Sequence, residues 1–228
     1  MIFYKIFRHN RLNMNDKNEY KKSYSLNLPE NGKFMPTDPL PRLDIKKLYS
    51  FFIIPDDCEG QKIIFNHFGF GRKQGNIFIL SPYEVMFLSQ LQKDPNMISI
   101  ENKNDINELW QYCCSLFGPS IFPIQYAIYH YFRCRYWVVR DGSIYGFLFV
   151  LYSDHPDVVH SKYTVQMIED WNEVLLIAPS ITRINWGVRK KALLVRVIVP
   201  SESDLKNPDC ISTFVIESMC LQRLEKHY

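Results

Sequence analysis

The chain has 228 residues, 46% of them hydrophobic, enough for one large domain or two small ones around a real core. Its 27 basic and 24 acidic residues leave a formal charge of +3, too small a surplus to argue for a nucleic-acid partner by itself. The six cysteines show no CxxC pair and no His/Cys ligand spacing, which argues against a zinc or disulfide framework and fits reduced, mostly buried thiols of an intracellular protein.

The N-terminus, Met1-Ile2-Phe3-Tyr4-Lys5, lacks the apolar core and small-residue cleavage site of a secretory signal. No run in the chain approaches the ~18 apolar residues of a membrane span. Residues 1–45 are polar, rich in Asn and Lys, and end in Pro36-Thr37-Asp38-Pro39-Leu40-Pro41, so they are expected to form a flexible extension. Short apolar stretches follow at 48–54 and 77–80. Between them, Gly69-Phe70-Gly71-Arg72-Lys73-Gln74-Gly75 has no GK[ST] ending and is better taken as a turn with basic decoration than as a phosphate loop.

Ser81-Pro82-Tyr83-Glu84 carries the signature of a capping box, with proline at the first helical position, and Val85, Leu88 and Leu91 follow at helical spacing. A second helix is predicted from Asp105 to Phe117, with Leu109, Cys113 and Leu116 on one face and Gly118-Pro119 ending it. Residues 46–119 are therefore expected to form a small, mainly helical N-terminal domain. A third helix starts near Pro123, and from Trp137 the rhythm turns to strands. Trp137–Arg140 and Tyr145–Leu151 flank Asp141-Gly142, a two-residue hairpin signal, and further strands are predicted at 163–168, 192–199 and 213–221. A mixed-sheet α/β domain over 120–228 is the expectation. The last strand is apolar at several consecutive positions, as if covered on both faces, and is expected to add to the sheet edge of a partner subunit.

Three positions concentrate the chemistry. Tyr152 ends one predicted strand, His160 stands eight residues on at the entry to the next, and Lys190 sits in a basic cluster directly before an apolar strand. Residues of these types suit metal-free RNA cleavage. Histidine, with a usual pKa near ~6.5, can take the proton of a 2′-hydroxyl, and tyrosine, near ~10, remains protonated and can supply one to the leaving 5′-oxygen. Lysine can stabilise the charge that gathers on the phosphate. Each residue alone has a plainer reading: tyrosines at strand ends usually pack, lone histidines are usually structural, and adjacent lysines are often only solvated charge.

The order of several segments resembles the tRNA-splicing endonuclease family. They are Tyr129-His130-Tyr131-Phe132-Arg133, Trp137-Val138-Val139, Tyr145-Gly146, Leu151-Tyr152, His160-Ser161-Lys162-Tyr163 and Val188-Arg189-Lys190. The first of these and Asn207-Pro208-Asp209-Cys210 are most similar to the catalytic subunit for the 5′ splice site. The likeness covers about 80–228. It implies a restriction-endonuclease-like catalytic domain, with Tyr152 as general acid, His160 as general base and Lys190 as transition-state stabiliser. It also implies that Arg183 helps clamp an intron base by cation–π contact. His155 is a rival base by proximity alone.

The resemblance further implies precursor tRNA as substrate, a four-subunit assembly, no metal or cofactor, products with 2′,3′-cyclic phosphate and 5′-hydroxyl ends, and a nuclear or, second, organelle-surface location. Three departures stand out. Leu148 replaces an aspartate common in the family, Tyr136 replaces a glycine, and the aromatic partner of the clamp falls near Cys220. Two other readings stay open at this point: the sibling subunit for the 3′ splice site, and a non-catalytic subunit that binds RNA or its partners. A metal-dependent DNA nuclease is remote, because the carboxylates of a PD…(D/E)xK site are missing.

Overall fold

A computed structural model describes residues 7–9, 42–55, 59–75, 77–92, 98–101 and 105–221. Apart from 7–9 and 42–45, the predicted polar extension lies outside the described residues, as does Cys58. The described residues form a mixed α/β structure with two sheets. The N-terminal part contains β2 (Leu43–Leu48), β3 (Phe51–Ile54), α1 (Glu59–Phe68), β4 (Arg72–Gln74), β5 (Ile77–Leu80), α2 (Pro82–Leu91), β6 (Ile98–Ile100) and α3 (Ile106–Phe117). Its five strands are ordered β4-β5-β3-β2-β6.

That sheet corrects the mainly helical picture of 46–119. It escapes a sequence reading because its strands are only three to six residues long, with short alternation such as the buried Leu43 and Ile45. The apolar stretch 48–54 is split by a tight turn: Leu48 pairs with Phe51, and exposed Tyr49 takes φ 51°. The glycine-rich stretch is a turn into β4, with Gly69, Gly71 and Gly75 all at positive φ.

α2 begins with the predicted capping box, and its glutamate does more than cap. Glu84 Oε2 accepts from the Ser81 amide at 2.8 Å and the Ser81 hydroxyl at 2.9 Å. Its Oε1 accepts from the Gly71 amide at 2.8 Å and from Arg140 Nη1 at 2.9 Å. One buried carboxylate thus ties a turn, a helix start and a strand of the second sheet, and its charge is paired as burial demands. In α3, Asp105 caps and Gly118 ends the helix as predicted. Leu116, however, is exposed and Trp110 is buried beside Leu109 and Cys113.

The C-terminal part contains α4 (Ile121–Arg133), β7 (Val138–Asp141), β8 (Phe149–Tyr152), β9 (Tyr163–Met167), α5 (Val174–Gly187), β10 (Lys191–Ile198) and β11 (Val215–Leu221). With β1 (Phe7–His9) they form a six-stranded mixed sheet ordered β1-β11-β10-β9-β8-β7, in which β9 and β10 run parallel. The segment 129–133 is core: Tyr129, Tyr131 and Phe132 are buried, and the Arg133 guanidinium donates to the carbonyls of Trp137 and Phe68 and lies 3.9 Å over the Phe70 ring.

Two expectations change here, and one helix enters that no expectation covered. The turn between β7 and β8 is not two residues, because Asp141 pairs with Phe149. The Asp141 carboxylate captures the Ser143 amide and hydroxyl, starting a short 3₁₀ turn over Ser143–Tyr145. α5 was not signalled, since Pro179 and several β-branched residues lower its helix propensity. Its burial of Val174, Ala178 and Ile181 against the sheet supplies the stability instead. Finally, the outer edge of β11 assigned to a partner is taken over Ser218–Cys220 by β1.

One core cluster runs from Leu43 in the first sheet to Ile216 in the second, and a smaller one fills the space between the second sheet and α5. Cys113, Cys114, Cys134, Cys210 and Cys220 are free thiols. Among the described residues, no helix is long and apolar enough to cross a membrane.

Candidate active site

Tyr152, His160 and Lys190 come to one end of three neighbouring strands. Leu151 of β8 pairs with Tyr163 of β9, and Tyr163 pairs with Lys191 of β10. One step outward, the Lys162 amide donates to the Leu151 carbonyl at 2.8 Å, and the Lys191 amide donates to the Lys162 carbonyl at 3.2 Å. Neighbouring strands lie ~4.8 Å apart, so β8 and β10 are separated by roughly 10 Å with β9 between them. The mouth of that interval is where Tyr152, the 160–162 segment and Lys190 stand.

Side chains alternate across a sheet. Leu151, Tyr163 and Leu193 belong to the main core, so Tyr152, Thr164 and Lys190 fall on the opposite face, the one α5 packs against. Tyr152 is half-buried, as is Lys190, and His160 is exposed just ahead of buried Ser161. Partial burial lowers the Lys190 ammonium below the ordinary lysine range. Its Nζ stands 4.9 Å from the centroid of the Tyr145 ring, which the 3₁₀ turn between β7 and β8 brings alongside.

The approach to Lys190 is built by the end of α5. Arg189 takes φ 54°, its amide donating to the Trp186 carbonyl at 3.1 Å, and the Lys190 amide donates to the Asn185 carbonyl at 2.9 Å. These bonds close the helix and turn the chain into β10. Neither Asn185 nor Thr164, whose hydroxyl bonds the Asn185 side chain, was singled out in the sequence. A polar residue at the end of the spacing 174, 178, 181, 185 was the available signal.

The rival base is otherwise engaged. His155 Nε2 lies 3.0 Å from the Phe65 carbonyl, and its Nδ1 lies 3.3 Å from the Asp157 amide. Nδ1 also stands 3.6 Å from the Asp157 carboxylate, so both ring nitrogens face protein atoms and neither is left for substrate. Arg183 is exposed on α5, seven residues before Lys190 and off the helix's buried stripe of Val174, Ala178, Ile181 and Asn185. Cys220, where the clamp's aromatic partner was sought, sits on β11 opposite Leu193. Among the described residues, no group of three or more His, Cys, Asp or Glu side chains could hold a metal ion.

Residues 122–206 match the family model described as tRNA intron endonuclease, catalytic C-terminal domain. This stretch contains all three strand-end residues. The chain is 32% identical over 133 residues to the tRNA-splicing endonuclease of Methanopyrus kandleri, covering 56% of this chain and 71% of that protein.

The chain belongs to the tRNA-splicing endonuclease family.

Within the family it is also similar to the probable tRNA-splicing endonuclease subunit Sen2 of Oryza sativa subsp. japonica, at 31% identity over 183 residues, 72% of this chain and 60% of the relative. With tRNA-splicing endonuclease subunit Sen2 of Mus musculus it shares 29% identity over 130 residues, 52% of this chain and 28% of the relative. The matched part thus spans less than two thirds of those two relatives' length, 60% of one and 28% of the other.

Proposed function

We propose that this chain is a catalytic subunit of a tRNA-splicing endonuclease that cuts precursor tRNA at the 5′ boundary of the intron. The observation that carries the reading is the convergence of Tyr152, His160 and Lys190 at one end of β8, β9 and β10, inside the stretch that matches the family's catalytic domain. Similarity to two proteins named Sen2 supports the same subunit type.

In this reading His160 accepts the proton of the 2′-hydroxyl at the cleavage site. The freed oxygen attacks the adjacent phosphorus, and the bond to the 5′-oxygen breaks as Tyr152 gives that oxygen its proton. A 2′,3′-cyclic phosphate and a 5′-hydroxyl result, with no metal at the chemical step. The Lys190 ammonium faces the charge that builds on the phosphate, and its half-buried setting strengthens that attraction relative to open water. Arg183 contributes a cation beside the path of the RNA. The chain works with other subunits, four in all, in the nucleus.

The test is cleavage of an intron-containing precursor tRNA by the co-purified complex in excess chelator, with monovalent salt keeping the RNA folded and the product ends mapped. His160→Ala should assemble normally and lower cutting at the 5′ site by roughly 10²–10⁴, leaving the other site active. Lys190→Ala should give the same product pattern, and Tyr152→Phe should slow cleavage without weakening RNA binding. Normal cutting at both sites by an assembled His160→Ala complex would make the chain a non-catalytic subunit. Loss at the 3′ site alone would make it the sibling subunit.

A further inference from the structure

We infer that Asn185 is a positioning residue for Lys190, acting through a buried hydrogen-bond tie to Thr164. The inference rests on the proposed function for its catalytic consequence, and on geometry for the tie itself. α5 presents Val174, Ala178, Ile181 and Asn185 to the sheet, so Asn185 holds the last place of an otherwise apolar stripe. It is 3% exposed. Burying an amide there without partners would be strongly unfavourable, so the side chain must be answered.

Each part of the residue has a partner. Its Oδ1 accepts from the Thr164 hydroxyl at 2.7 Å, a buried bond to the middle strand of the site. Its Nδ2 donates to the Ile181 carbonyl at 2.9 Å, one turn back in the helix. Its main-chain carbonyl accepts the Lys190 amide at 2.9 Å. The first bond pins the end of α5 to β9, and the third hangs Lys190 from that pinned point. Thr164 is itself 0% exposed and cannot turn to water for another partner.

The tie therefore sets where the lysine side chain leaves the backbone relative to β9, while the Tyr145 ring lies against its far end. An apolar residue at 185 would keep the stripe and lose the register. The bond from the Lys190 amide to the Asn185 carbonyl carries any shift of residue 185 to Lys190, while Arg189 at positive φ turns the chain between them.

The experiment uses the assembled complex and compares Asn185→Leu/Thr164→Val with the parent. Replacing both partners of a buried hydrogen bond by apolar groups of similar shape can be nearly neutral for stability. We expect an unchanged melt, kcat lower by about 10- to 10²-fold and KM unchanged. Combined with Lys190→Ala, the pair should cause no further loss, because the tie acts through a side chain already gone. An equal loss with and without Lys190, or an unaltered kcat in the folded variant, overturns the inference.

Should that variant fail to fold, Thr164→Val and Thr164→Ser decide. The serine retains the hydroxyl and should retain the rate, and equal rates for the two overturn the inference. NMR titration of the Lys190 ammonium without RNA supplies a readout independent of cleavage. It should move toward the ordinary lysine value when the tie is removed, and no movement counts against the tie. A complex that cuts no tRNA at all defeats the proposed function and leaves that titration to judge the positioning.

Discussion

His155 and Phe65 join the loop of the candidate site to α1: imidazole Nε2 meets the Phe65 carbonyl at 3.0 Å, and the two rings stand edge to face at 4.9 Å. The loop from Tyr152 to His160 is thereby braced against α1, a helix 90 residues earlier. This brace separates the two histidines. His155→Ala should lower the thermal midpoint, costing on the order of 1 kcal/mol for the lost hydrogen bond, since the Phe65 carbonyl keeps the Gly69 amide at 2.9 Å, and slow cleavage only as far as the loop loosens. His160→Ala should leave the melt unchanged. Melts and single-turnover rates on both variants check this, and an unaltered melt with a large rate loss in His155→Ala would reverse the two roles.

The Lys190 ammonium loses its proton at lower pH than an ordinary lysine, whose value is 10.5, because burial disfavours the charged form. Its charge is present below that depressed pKa and disappears as the pH rises through it. Single-turnover cleavage should accordingly fall on the alkaline side before pH 10.5 is reached. Lys190→Arg, charged throughout, should show a lower plateau and carry the decline to higher pH. A decline at the same pH in both proteins would assign it to another group.

His130 is held neutral to low pH. Burial, with the positive charge of Arg135 second, pulls its pKa from 6.5 down to about 4. Above pH 6.5 both folded and unfolded chains carry it neutral. Below that, the unfolded chain takes a proton that the folded chain refuses, so stability is lost as the pH falls toward 4. The loss should reach at most about 3 kcal/mol. Denaturant midpoints at pH 7 and pH 4 should converge for His130→Gln relative to the parent, and an identical pH slope in both would count against it.

Deleting residues 213–228 removes β11, an inner strand between β10 and β1 whose Ile216, Met219 and Leu221 are buried. The truncated chain should lose its cooperative melt and become protease-sensitive. A normally folded chain that merely fails to co-purify with other subunits would instead support an assembly role for the strand.

Local rules carried much of this protein's description. The capping box at Ser81–Glu84, the Asp105 cap and Gly118 stop of α3, and the β9 and β10 strands are consequences of short-range hydrogen bonding and periodicity, which a sequence displays directly. Tyr152, His160 and Lys190 were legible because their types suit one reaction and their neighbours resemble a family. Their placement at one sheet end was not: it depends on the register of Leu151, Tyr163 and Lys191 across three strands, set by distant pairings. Periodicity also missed α5, where tertiary burial outweighs the unfavourable Pro179, and the Asp141-Gly142 turn, where a side chain competed with the hairpin. The fates of His155 and Asn185 were decided by partners 90 and 21 residues away, Phe65 and Thr164. Hydrogen bonds between such distant positions exist only once the core has brought the elements together, so only the tertiary structure could assign His155 to a brace and Asn185 to the turn that carries Lys190.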